Sequence, residues 1–300
     1  MQIYDIPIGS GQKELTVLGT DGFPMAIYKT QLSKNVLGFV NWHWHEAIQL
    51  CLVLSGDIVI SVDQRTYVLG EGQGCFINAN TLHMIQAVRD PDSTYICVNA
   101  DPSLIYGSAN SILQRRYVRP FLQSPSFWGC LLMPDDQVES EILSGVRHIF
   151  QLDSQRQYGY EIETVIALLQ IWERLISLWR LRPAEPFAPR GEEEARLKEI
   201  LSFLQAHYHE KLSLWRVAGE IHLCTNECCR FFKRNMGRTI FEYLLEYRIE
   251  KSIDCLLTTN APISQIALEC GFSGSSHYIE RFKRLMGTTP LDYRKTHLRA

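Results

Sequence analysis

Phe232-Lys233-Arg234-Asn235-Met236-Gly237 returns fifty residues later as Phe282-Lys283-Arg284-Leu285-Met286-Gly287, and this repetition decides how the chain is read. The residues that follow match too, Thr239-Ile240-Phe241-Glu242-Tyr243 against Thr289-Pro290-Leu291-Asp292-Tyr293. Upstream the match is one of pattern. Leu214, Val217, Ala218 and Ile221 fall at i, i+3, i+4 and i+7, as do Ile263, Ile266, Ala267 and Cys270, which lines one face of a helix. Leu223-Cys224-Thr225 and Gly271-Phe272-Ser273 then make tight connections. A second helix in each copy turns an apolar set inward, Cys228 with Phe231 and Phe232, then Tyr278 with Phe282. Helix, short turn and a helix with basic residues on its free face describe a helix-turn-helix, written here twice. Two copies are too few for a solenoid.

On these residues the tail, from about Leu212 to Lys295, resembles the DNA-binding domain of the AraC/XylS family of bacterial transcription regulators. That domain is a double helix-turn-helix joined by a long helix. Glu242–Lys251 reads like the joining helix, and Gly287-Thr288-Thr289-Pro290-Leu291-Asp292-Tyr293-Arg294 like the closing segment. The resemblance implies a promoter, as double-stranded DNA, with the second helix of each repeat in its major groove. The matching positions of the first repeat are Asn226, Cys229, Arg230 and Lys233. Arginine offers a bidentate fork to guanine and asparagine one to adenine. Those of the second are Ser275, Ser276, His277, Glu280 and Lys283. Glu280 departs from the arginine common there in relatives; it repels phosphate and can at best accept from a cytosine amino group.

Three hundred residues suggest two domains. The net charge of −3 suits a DNA binder only once it is split: residues 190–300 hold 17 basic and 14 acidic side chains, residues 1–189 hold 13 and 19. The nucleic-acid surface therefore belongs to the tail. Met1–Pro7 has neither a basic start nor an apolar run, so no signal peptide is expected. The most apolar segment, Val165–Trp179, is broken by Gln170, Glu173 and Arg174 and is too short and polar to span a bilayer, so no membrane partner is expected. Nine cysteines, an odd number without framework spacing, fit a reducing cytoplasm. Cys224, Cys228 and Cys229 form no CxxC pair, and Cys228 takes a core position on its helix, so buried thiol is a better account of them than zinc.

From Met25 to Val98 short apolar runs are punctuated by Gly, Asn and Asp, as in Ser55-Gly56-Asp57, Gly70-Glu71-Gly72 and Asn78-Ala79-Asn80. Such spacing argues a β-sandwich or barrel. Two segments resemble the motifs of the cupin fold: His43-Trp44-His45 with Gln49 and Gly56, and Gly72 with Asn78-Ala79-Asn80 and His83. In metal-binding cupins the matching positions are two histidines, a glutamate and a third histidine. This chain departs from the pattern with Gln49 at the glutamate position and Ala87 where an asparagine is usual. A neutral amide compensates less of an ion's charge, yet three imidazoles can still hold Zn²⁺ or another divalent ion. The reading preferred on sequence is a metal-free effector pocket formed by His43, His45, Gln49 and His83, with no required cofactor. Trp42 and Trp44 alternate with the histidines and are expected on the opposite face, as core or wall.

After Asp101 the period becomes helical. Asp135-Asp136 open one helix, with Ile142, Val146, Ile149 and Phe150 on its apolar face, their acids suited to the N-terminal dipole. A longer helix over Tyr160–Leu181 carries a stripe of Ile162, Val165, Ile166, Leu169, Trp172, Ile176 and Trp179, expected to pack in part on the barrel and in part on a second copy. Arg182–Gly191, with three prolines, reads as an extended linker, and Glu192-Glu193-Glu194 opens a helix continuing through Ile200, Leu201, Leu204 and Tyr208. The expected fold is α+β in two domains: a cupin-like barrel over 1–110, a helical and dimerising segment over 111–182, a linker over 183–191 and an all-α double helix-turn-helix over 192–300. The expected function is a cytoplasmic, non-enzymatic, dimeric transcription regulator, an activator by resemblance. It would answer to a small molecule, a sugar among the candidates, and act on RNA polymerase. Two other readings stand beside it: a cupin metalloenzyme, dioxygenase or isomerase, tethered to DNA, and a constitutive DNA-binding dimer.

Overall fold

The computed structural model describes residues 6–62, 65–124, 127–181 and 190–297, without the side chains of residues 190–192 and 194. Two compact units result, Met1–Gly9 with Lys13–Gly191, and Ser10–Gln12 with Glu192–Ala300.

The first unit is built on nine strands, β1 Met25–Gln31, β2 Phe39–His43, β3 Ile48–Ser55, β4 Ile58–Val62, β5 Arg65–Leu69, β6 Gly74–Ile77, β7 His83–Ala87, β8 Thr94–Ala100 and β9 Gly129–Leu132. They form two antiparallel sheets, β1-β8-β3-β6-β9 and β2-β7-β4-β5. Short helices α1 (Ser103–Tyr106) and α2 (Arg119–Leu122) precede β9, and α3 (Gln137–Gln155) and α4 (Tyr160–Leu181) follow it. Strand alternation gives the five-stranded sheet two apolar faces. Ile48, Leu50, Leu52, Phe76, Ile96 and Val98 pack on α3 and α4 through Ile142, Val146, Leu168 and Ile171. Cys51, Val53, Cys75, Ile77, Tyr95 and Cys97 face the barrel interior with Val40, Ile58, Ile60 and Ile85. Residues next to one another in β3 thus serve two different cores, as period two requires.

Two expectations about this unit change. The barrel does not stop at residue 110, because β9 pairs with β6, Gly129 opposite Ile77. Asn78 makes this extension: its amide donates to the carbonyls of Leu122 and Phe127 at 3.3 and 3.0 Å and ties the connection down. The buried stripe of α4 is Thr164, Ala167, Leu168, Ile171, Trp172 and Leu175. Of the expected stripe Trp172 is buried, whereas Ile162 and Ile166 are 68% and 51% exposed. The helix is apolar on more than one side, so spacing alone could not choose its face. The proline-rich stretch 182–189 of the expected linker lies outside the described residues, and the next helix begins at Arg190.

The second unit is helical: α5 Arg190–Ala206, α6 Leu214–Glu220, α7 Thr225–Met236, α8 Ile240–Thr258, α9 Ile263–Glu269, α10 Ser275–Met286 and α11 Pro290–His297. Tyr208 falls beyond the end of α5 rather than on it. Ser213 caps α6, and Thr239 with Glu242 forms a capping box that starts α8. The repeated glycines close α7 and α10 in the left-handed region, Gly237 at φ 68° and Gly287 at φ 72°, where a side chain is strained. Phe232, Tyr278 and Phe282 are fully buried, so the repeated aromatic is the plug of each helix pair. Helix α8 buries residues all round, Tyr243, Leu244, Tyr247, Ile249, Ile253 and Leu256 among them, and joins the two halves as one rod.

Candidate functional site

The outward faces of α7 and α10 follow from which sides of the two helices the core consumes. Cys228, Phe231, Phe232 and Met236 turn inward from α7. Asn226, Arg230 and Lys233 are left exposed and Cys229 half-buried, at i, i+4, i+7 and i+3 on one side. In α10, Tyr278 and Phe282 turn inward, Ser276, Glu280 and Lys283 are exposed, and Ser275 and His277 half-buried. The structure therefore brings the expected residues of α7 onto one outward face and Ser276, Glu280 and Lys283 of α10 onto another, whereas Ser275 falls on the side of the buried Phe282 and His277 packs against Phe272. Arg234 is drawn aside by Glu193 at 2.8 Å, and Arg281 leans on His277 at 3.4 Å.

Two arginines that share a context, Tyr247-Arg248 and Tyr293-Arg294, have structural work instead. Arg248 donates to the carbonyls of Tyr208 and Glu210 at 2.6 and 2.8 Å, ahead of α6. Arg294 donates to those of Leu256 and Ala261 at 3.1 and 2.8 Å, ahead of α9. Each ties down the loop that enters its own helix pair, and neither is available to phosphate. The doubled Tyr-Arg pair was the signal in the sequence that could have exposed this role.

In the barrel, His43 and His83 are direct cross-strand partners on β2 and β7, with ring centroids 4.2 Å apart. His45 follows two residues later, its ring 5.3 Å from His83. All three are buried, and one ring nitrogen of each lies within 4.8 Å of the others. Each Nδ1 meets a backbone carbonyl two residues away: Asn41 at 2.8 Å, Ala47 at 2.9 Å and Thr81 at 2.8 Å. A neutral imidazole that donates from Nδ1 keeps a lone pair on Nε2. Burial holds the pKa of His43 and His83 below the ordinary imidazole range, well below for His83, so the neutral form dominates.

Gln49 is buried and does meet the cluster, its side-chain oxygen 2.8 Å from His45 Nε2 and its nitrogen 3.1 Å from Cys51 Sγ. With the Nδ1 proton of His45 directed at the Ala47 carbonyl, the amide turned over donates to Nε2 and accepts from the thiol. Cys51 stands opposite both Cys75 and Cys97. Hydrogen bonds from those two thiols hold Cys51 well below the usual thiol range. Trp42 is buried, as expected; Trp44 is half-buried, under the Lys13 ammonium at 5.5 Å.

A carboxylate that no motif announced completes the surroundings. Glu14, whose side chain is 5% exposed, places Oε2 4.0 Å from His43 Nε2. Its backbone N–H donates to the carbonyl of Trp44 at 2.9 Å, between the paired histidines. Glu14 and burial together push Tyr28 up to about 12, burial contributing more. His43, Gln49, Glu14, Tyr28, Tyr95 and Asn99 line a cavity of about 10 Å³, room for one water-sized body.

Two family models match the chain, an AraC-like ligand binding domain over residues 34–171 and a helix-turn-helix domain over residues 217–296. An uncharacterised HTH-type transcriptional regulator of Bacillus subtilis (strain 168), YdeC, is 32% identical over 96% of this chain and 97% of its own length. The HTH-type transcriptional activator RhaS of Klebsiella pneumoniae (strain 342) is 25% identical over 84% and 87%. Among solved structures, ToxT of Vibrio cholerae O395 is 15% identical over 91% of this chain and 98% of that one, with a TM-score of 0.42.

Proposed function

Since the chain belongs to the AraC family of helix-turn-helix transcription regulators, with a ligand-binding domain ahead of a DNA-binding one, we propose that its buried histidine barrel is the sensor of a regulator that reads two successive major grooves of a promoter. The single observation that carries the DNA half is the pair of outward faces on α7 and α10, each backed by the same aromatic plug. Asn226 and Arg230 make the bidentate contacts with bases; Lys233 and Lys283 set position against phosphate. Ser275, Ser276, His277 and Glu280 supply weaker or single hydrogen bonds in the second groove, and Cys229 a van der Waals contact.

The sensor half rests on His43, His45, Gln49 and His83 converging inside the barrel. A ligand held there controls DNA occupancy, and the protein performs no turnover on it. The exposed apolar side of α4, Ile162, Ile166 and Leu169, is the face on which two copies pair. The dimer acts in the cytoplasm, as an activator touching RNA polymerase. The test is a randomised-site selection with the full chain, followed by genome-wide mapping of bound sites. A selected motif with two half-sites one helical turn apart is the expected result. Recovery of no motif removes the reading.

A further inference from the structure

We propose that the barrel interior is a site for one divalent first-row transition-metal ion, in which Glu14, supplied from outside the strands, is the carboxylate ligand beside His43, His45 and His83. The inference rests on reading the barrel as the sensor, and it names the class of ligand sensed.

The histidine tautomers favour a cation. Three separate backbone carbonyls each take the Nδ1 proton of one histidine. The same choice made three times turns three Nε2 lone pairs inward, a set with acceptors and no donors. A cation needs acceptors alone. A metal-bound histidine has this arrangement, its other nitrogen donating to a carbonyl. His83 Nε2 is buried with no hydrogen-bond partner, a vacancy in bonding that a metal–nitrogen bond would fill.

Charge points the same way. A carboxylate buried as deeply as Glu14 is costly unless a cation or donors meet it. A 2+ ion among neutral imidazoles carries the complementary cost. Gln49, at the position where the sheet would offer a carboxylate, cannot compensate it, whereas Glu14 Oε2 stands 4.0 Å from His43 Nε2. That separation suits two ligands of one ion after a small inward shift. Glu14 is placed by its own backbone bond to Trp44, so the ligand and the histidine pair share one local scaffold.

Size does so too. A cavity of about 10 Å³, lined by His43 and Glu14 and bordering the histidine cluster on that side only, accepts a single ion or water. Pockets for organic ligands run to about 300–1,000 Å³. His45 is the one imidazole whose Nε2 is engaged, by Gln49, so the ion must displace that amide.

The test uses the full chain stripped with a chelator and titrated with Co²⁺ alone. Metal content, the visible d–d band and competition with a chromogenic chelator are read, with circular dichroism as the check on folding. One Co²⁺ per chain, with a band of four-coordinate intensity, is expected. Glu14→Gln, which preserves shape, should weaken binding at least about tenfold and move the band. Glu14→Asp, which keeps the charge, should restore part of the affinity. Absence of a stoichiometric ion overturns the site; an unchanged band and affinity in Glu14→Gln overturns Glu14 as its ligand. Binding of the same stripped protein to its selected operator is measured in parallel. Stripped protein that holds its operator and takes no Co²⁺ refutes the metal and leaves the regulator standing. Protein that takes Co²⁺ and selects no operator supports the metal site and refutes the regulator.

Discussion

The two helix-turn-helix copies agree where they face inward and differ where they face out. Phe232 and Phe282 are fully buried, Cys228 and Tyr278 fill the same place beside them, and Gly237 and Gly287 share a left-handed stop. On the outward face, Asn226 answers to Ser276 and Arg230 to Glu280. Packing tolerates few solutions, so the inward residues recur. Groove contacts have no such constraint, and the copies can read different bases with unequal strength.

The largest effect should come from the shared plug. Phe232→Ala and Phe282→Ala should each cost about 3–5 kcal/mol, and similarly, if the copies are equivalent inside. Urea unfolding followed by circular dichroism checks this, and strongly unequal losses would break the equivalence. Next come the outward residues. Arg230→Ala should cost about 1–3 kcal/mol at its preferred operator and relax base preference there. Ser276→Ala should change the selected motif less than Arg230→Ala does. Equal information in both half-sites would defeat the asymmetry.

Charge gives smaller effects. Lys283→Ala should weaken all sequences alike and lower the salt slope by about one, measured by titrating binding at several salt concentrations. Glu280→Arg should raise affinity with little regard to sequence, by removing a repulsion near the backbone.

The smallest difference is one of acid sensitivity. Glu210, ahead of α6, accepts from His207 and Arg216, which hold its carboxyl down at about 2 against an ordinary 4.5. A depressed folded value means stability fully present above pH 4.5 and lost as the pH falls toward 2. The second copy has Thr259, which does not titrate, at the matching place four residues ahead of its first helix. Hydrogen exchange of α6 should therefore quicken in that window more than that of α9, and Glu210→Gln should abolish the difference. The side chain is half-buried and reached by solvent, so screening keeps the effect slight.

The repeat made the tail legible because both its period and its plug are local. Cys228, Phe231 and Phe232 could be assigned to the core, and Asn226 and Arg230 to the surface, from spacing alone. The barrel strands were legible through their turns, and the histidines through their motif spacing. Three features were not. β9 depends on Asn78 holding a distant connection, α4 offers apolar side chains on more than one side, and Glu14 reaches His43 through tertiary folding with no pattern of its own. Each depends on pairing between residues far apart in sequence, which periodicity does not encode.

Helix α8 acts as a ruler. Nineteen residues at about 1.5 Å each span about 28 Å, and the capping box at Thr239 and the all-round burial of its middle leave it no hinge. The two reading heads therefore keep a fixed phase on the DNA screw. A base substitution in the operator removes one contact and gives a graded loss. Insertion of a single base pair rotates one half-site away from its helix, and the rod cannot follow. Promoters under this regulator can drift by point changes, each tuning output a little, but a change of spacing takes them out of its reach at one step.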